Sequence, residues 1–122
     1  MFGRLRVEKQ LICLRCGDVI GDAVFRPLAW TLRITAPDGR ELGPQTGAVH
    51  ERLAEQQVAA ASSPSEAAEA TARLRFVNRH IGELMYDLPC SHGHHTMAIA
   101  PQITRALRHS KGSTVRLQGQ FG

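Results

Sequence analysis

The sequence predicts an α+β fold in which a few antiparallel strands carry one main helix, at about 64–81, and a short C-terminal helix. Three observations predict this class: apolar alternation in 30–35, an apolar stripe after a helix-capping serine, and two cysteine-bearing turns between apolar runs. The chain has 122 residues, with 43% hydrophobic and 21% charged, as in an ordinary globular domain. We therefore expect one domain, spanning 1–122.

Four segments read as strands. The run 11–20 indicates a strand that enters a tight turn and leaves it. Alternation in 30–35 and the turn signal Pro-Asp-Gly that follows predict a hairpin with arms near 28–36 and 40–42. Its apolar face consists of Trp30, Leu32 and Ile34. The aromatic residues that we expect in the core are Phe25, Trp30 and Phe76. Two further strands, 84–88 and 96–99, are expected to pair across the turn between them.

The main helix has clear start and stop signals. Ser63 suits the N-cap, Pro64 the first helical position and Glu66 the third residue of a capping box, while Gly82 is a plausible stop. An apolar stripe at steps of three and four residues predicts one buried face. Its members are Ala67, Ala70, Leu74, Val77 and Ile81.

Three other segments are less regular. The Gln- and Ala-rich run 45–62 is compatible with a weak helix or a mobile linker. A short helix is predicted from Pro101 to about His109. Residues 111–122 read as a frayed tail, in which 114–117 could add an edge strand.

Cysteine and histidine residues form the most specific pattern. One turn reads Cys-Leu-Arg-Cys-Gly from residue 13, and the other reads Cys-Ser-His-Gly-His-His from residue 90. Zinc takes four ligands in a tetrahedral array, from thiolate sulfur and imidazole nitrogen. The predicted Zn²⁺ ligands are Cys13, Cys16, Cys90 and His92, with His94 and His95 as alternatives for the fourth position.

The two turns resemble the knuckles of zinc-ribbon folds, which have the form Cys-x-x-Cys-Gly on paired hairpins. The resemblance covers about 11–20 and 84–100, and the second turn departs from it in its spacing and in having His for the fourth Cys. It implies ribbon halves at about 8–44 and 83–100, a helical insertion at 45–82 and a basic tail at 101–122. Zinc would close the long loop between the halves and so act structurally.

Catalytic readings have less support. A redox Cys-x-x-Cys usually opens a helix, whereas the residues after Cys16 read as a strand. Four ligands leave no open metal position, and the sequence holds neither a metalloprotease nor a zinc-deaminase signature, nor a Gly-rich phosphate loop. We therefore expect a non-enzymatic module, with a metal-dependent enzyme or a redox protein as minor alternatives.

Charge is distributed unevenly along the chain. The net charge is +3 over 1–15, −3 over 16–87 and +4 over 88–122, where no acidic residue occurs. Basic segments of this kind suit DNA, RNA or a nucleoprotein machine of transcription or translation. The candidate nucleic-acid contacts are Arg105, Arg108, Lys111 and Arg116. The alternative is a protein-interaction or self-association module that uses the stripe of the 64–81 helix.

The sequence offers no membrane partner. No run of about 18 apolar residues occurs, and charge interrupts the N-terminal segment too often for a signal peptide. We therefore expect a cytoplasmic protein.

Overall fold

The computed structural model describes residues 6–117 and 120–121, which form a mixed α+β fold with three helices and two small sheets. This confirms the predicted class. The elements in chain order are β1 Val7–Ile12, β2 Val19–Arg26, β3 Thr31–Thr35, α1 Gly47–Ala60, α2 Pro64–Arg79, β4 Met85–Pro89, β5 His95–Ile99, α3 Ala100–His109, β6 Thr114–Arg116 and β7 Gln120–Phe121.

The larger sheet has the strand order β3-β2-β1-β6, and the smaller has the order β4-β5-β7. All pairs are antiparallel except β1 with β6, which run parallel with Leu11 opposite Val115. The predicted edge strand near 114–117 is thus present as β6. The expectation of a frayed tail is wrong for 114–116 and 120–121, because β6 and β7 extend the two sheets; 118–119 and 122 lie outside the described residues.

The β4–β5 hairpin is buried on both faces. Its even-numbered side chains, such as Tyr86 and Leu88, join the main core around Phe25. Its odd-numbered apolar side chains form a second cluster with α2, composed of Met85, Met97, Ile99, Phe76 and Val77. The hairpin is therefore a middle layer between the larger sheet and α2, as its alternating side chains allow.

The helices follow their local signals. The Ser63 hydroxyl caps α2 by accepting the Glu66 N–H at 3.1 Å, while the Glu66 carboxylate accepts from the N–H of Ser62. The run 45–62 is mostly helical, as α1. Of the residues in the predicted stripe, Ala70 and Val77 are buried in the protein interior, whereas Ile81 lies beyond the end of α2 and is exposed.

The predicted hairpin at 28–36 and 40–42 needs correction. Residues 27–30 form a turn, and β3 pairs with β2 across it. The second arm is a single bridge between Thr35 and Glu41. Trp30 lies in the turn with φ 51°, and it is 66% exposed, with its ring edge-on to Phe25, so the expectation that it serves the core is wrong. Phe25 and Phe76 are buried as predicted.

Among the described residues, no helix combines the length and apolar character needed to cross a membrane.

Candidate metal centre

The first cysteine turn connects β1 to β2. The Cys13 N–H donates to the Asp18 carbonyl at 2.8 Å, and the Gly17 N–H donates to the Cys13 carbonyl at 2.9 Å. Gly17 has φ +79°, a left-handed conformation that glycine adopts without the steric cost of a Cβ. The turn therefore reverses the direction of the chain, and both cysteines belong to it. A strand follows Cys16, not the helix start that a redox motif uses.

The second turn connects β4 to β5 and closes in the same manner. The Cys90 N–H donates to the His94 carbonyl at 2.9 Å, and the Gly93 N–H donates to the Cys90 carbonyl at 3.1 Å. Gly93 has φ +84°. The ring that these bonds close is one residue shorter than in the first turn, and Cys90 and His94 lie at its two ends.

The two turns meet, and four donor atoms converge although 73 residues separate Cys16 from Cys90. The sulfurs of Cys16 and Cys90 lie 3.7 Å apart, and His94 Nδ1 lies 3.4 Å from the Cys90 sulfur and 3.7 Å from the Cys13 sulfur. All four atoms lie within 4.8 Å of one another. The three cysteines are free thiols.

These distances fit a tetrahedral metal. With zinc–sulfur bonds of about 2.3 Å and zinc–nitrogen bonds of about 2.0–2.1 Å, two sulfurs are separated by about 3.8 Å and a sulfur and a nitrogen by about 3.6 Å. A disulfide would need about 2.05 Å between sulfurs. The donor set therefore has the composition and the spacing of a metal site, and not of an oxidised cysteine pair.

The thiols influence one another's ionisation. Burial raises the pKa of Cys13, but the backbone N–H groups of Cys16 and Arg15, together with the side chains of Cys16 and His94, lower that pKa to about 6. For Cys16 the N–H of Asp18 lowers the pKa, while burial and the sulfurs of Cys13 and Cys90 raise it to about 11. A second thiolate would repel the first, and a divalent cation among the sulfurs removes that repulsion.

The strand register explains which histidine joins the cysteines. In the β4–β5 ladder Leu88 lies opposite Thr96 and Pro89 opposite His95, so the next pair is Cys90 and His94. Residues opposite each other in a ladder point to the same face. From the sequence, His92 was the first choice for the fourth ligand and His94 the second. The structure places His94, not His92, with the three sulfurs. The direct pairing of Cys90 with His94 across the turn is the signal that could have identified it, because His92 lies inside that turn.

His92 and His95 have other partners. His92 Nδ1 lies 2.5 Å from an Asp18 carboxylate oxygen that also accepts the Ser91 hydroxyl. These contacts connect the two turns. The Ser91 hydrogen bond, together with the charge and the hydrogen bond of His92, lowers the pKa of Asp18 against the opposing effect of burial. Asp18 and His92 also lie close to Cys16, and these three residues form a second, more exposed group whose donor atoms have the spacing of metal ligands.

His95 points to the α2 side of the hairpin and belongs to a charged network that the sequence analysis missed. Its Nδ1 lies 2.8 Å from one oxygen of Asp87, whose other oxygen pairs with the buried guanidinium of Arg73. Burial by itself raises the pKa of Asp87, but the His95 hydrogen bond and the Arg73 charge together hold it below its usual value. Arg73 also donates to Gln57 of α1, so the network connects both helices to the hairpin.

The predicted nucleic-acid contacts lie on α3 and on the segment after it. Arg105 and Arg108 are exposed on α3, and Lys111 is exposed just beyond its end. Arg116 is exposed on β6, and its Nη1 donates to the Leu14 carbonyl of the first turn at 3.4 Å. Arg105 and Arg116 line one cleft, whereas Arg108 and Lys111 lie outside it.

No protein-family model matches the sequence, and neither curated proteins nor solved structures provide a significant match.

Proposed function

We propose that this protein binds one zinc ion through Cys13, Cys16, Cys90 and His94. The observation that carries the proposal is the convergence of three sulfurs and one imidazole nitrogen within 4.8 Å of one another, with three of their separations at 3.4–3.7 Å, close to the edge lengths of a zinc tetrahedron. Thiolate and imidazole donors in four-fold array favour zinc over magnesium or calcium, which prefer oxygen ligands.

The role that we propose for the zinc is structural. Protein side chains supply all four ligands, so no position stays open for a substrate or a water nucleophile. Two of the ligands belong to the turn of the larger sheet and two to the turn of the smaller sheet. Zinc bound there would connect the sheets at one end, and a binding module, not an enzyme, is the function that follows.

Metal analysis of matched variants tests this proposal. The purified protein should hold about one zinc per chain, and cobalt substitution should give the sulfur-to-metal charge-transfer bands of a tetrahedral thiolate site. His94→Ala should weaken zinc binding by tenfold or more, whereas His92→Ala, its exposed neighbour, should leave it nearly unchanged. Metal-free protein after zinc-supplemented expression would refute the site, and the reverse order of the two variants would reassign the fourth ligand.

The partner class that we propose is nucleic acid. Residues 88–122 carry four basic side chains and no acidic one, and Arg105, Arg108 and Lys111 are exposed. Binding that weakens steeply with salt would support this class, because each phosphate contact releases counterions. No binding at low salt would refute it and favour the alternative, a protein partner or self-association.

A further inference from the structure

A cleft of about 660 Å³ separates α3 from the segment that follows it. It has a floor of small and aliphatic side chains, of which Ala98 and Leu117 are buried and Ala106 is half-buried. Its rim carries Arg105 and His109. The volume lies within the range of sites that enclose a small molecule or one unit of a polymer.

The cleft combines positive charge with an apolar surface. Arg105 of α3 and Arg116 of β6 both line it, and among the residues that the structure describes no acidic side chain lines it. Nη1 of Arg116 donates to the Leu14 carbonyl at 3.4 Å. A ligand that fits this arrangement carries negative charge for the two arginines and a weakly polar group for the apolar floor.

We infer that this cleft binds single-stranded nucleic acid, with one unstacked base on the floor and flanking phosphates on Arg105 and Arg116. A duplex keeps its bases stacked and offers only their edges, so it would have to flip a base out, at the cost of its pairing and stacking, to place it in a cleft. Histidine side chains stack on unpaired bases, which suits the position of His109 at the rim. This inference rests on the proposed nucleic-acid function and specifies its substrate class.

Binding of labelled oligonucleotides to the zinc-loaded full chain tests the inference. The probes are an eight-nucleotide RNA, the same sequence as DNA, and its duplex, each measured over a salt series. Ala106→Leu fills the floor without changing charge and adds no aromatic face on which a base could stack, so it should weaken single-strand binding by roughly tenfold or more. Arg105→Ala should lower the salt slope by about 0.7, whereas Arg75→Ala, an exposed arginine on α2, should not change it.

Each outcome decides a different statement. Equal affinity for duplex and single strand, or full binding by Ala106→Leu, would overturn the assignment of the cleft while leaving nucleic-acid binding in place. No binding of any probe by the parent chain would overturn the partner class itself. The melting temperature of each variant checks its fold, and if Ala106→Leu melts below the assay temperature, Ala106→Met supplies the same steric test.

Discussion

Loss of the proposed zinc from the two turns should lower the free energy of unfolding by an amount set by the length of the loop between the turns. Replacement of Cys13 and Cys16 together by serine removes both ligands of the first turn, so no metal can connect it to Cys90. A crosslink that closes a loop of about 75 residues lowers the entropy of the unfolded chain by an amount worth about 4.5 kcal/mol. That is a large part of the roughly 5–15 kcal/mol that stabilises a typical domain.

Thermal unfolding by circular dichroism, with zinc and with a chelator, measures this contribution. The parent chain should lose roughly 15–20 °C in melting temperature when the chelator is added, at about 4 °C per kcal/mol for a chain of this size. The double variant should melt at one temperature in both conditions. Cys13 is buried, and its replacement has a packing cost of its own, but that cost is present with and without zinc and cancels in the comparison.

His92→Ala is the matched control, because His92 lies outside the four-residue group. It should respond to chelator as the parent does. The reasoning is refuted if the parent melts at the same temperature with and without chelator, or if zinc still stabilises the double variant.

Three further predictions concern the fold. Asp87→Asn should lower the free energy of unfolding, measured with urea at pH 7, by about 3 kcal/mol, because the buried guanidinium of Arg73 loses its carboxylate. The folded-state pKa of Asp87 lies below its usual 3.8. The difference in stability from the parent should therefore persist down to that pH and shrink only below it. Gly47→Ala should destabilise the protein by about 2 kcal/mol in thermal melts, because the alanine Cβ would lie 2.3 Å from the Ile81 carbonyl oxygen. Alanine favours helices, so a stabilised variant would contradict that contact. Ser63→Ala should cost about 1 kcal/mol through loss of the α2 N-cap, and an unchanged unfolding midpoint would show that the cap contributes nothing.

Local features could be predicted from the sequence because their causes lie within a few residues. Ser63 caps the helix that follows it, and Gly17 and Gly93 adopt the left-handed conformations that tight turns require. Cys90 and the histidine cluster indicated a metal site because donor chemistry depends on residue type. The strands on either side of both turns followed from apolar runs and turn residues.

Other features depended on contacts that local pattern does not contain. Trp30 continued the alternation of its strand, but the turn that begins at Pro27 took it out of the sheet and left its ring exposed. Arg73 belongs to a residue type that is seldom buried, yet it is buried on α2 because the Asp87 carboxylate on another element neutralises its charge.

The fourth donor shows where sequence information ends. The amino-acid sequence by itself determined that three cysteines and one of three histidines were candidate ligands, and that two turns would present them. Only the tertiary structure decided that His94 joins the cysteines. The β4–β5 register sets which imidazole shares a face with Cys90, and the packing of the two sheets brings that face to the first turn. Both are long-range pairings, whose geometry depends on the whole fold and not on neighbours along the chain.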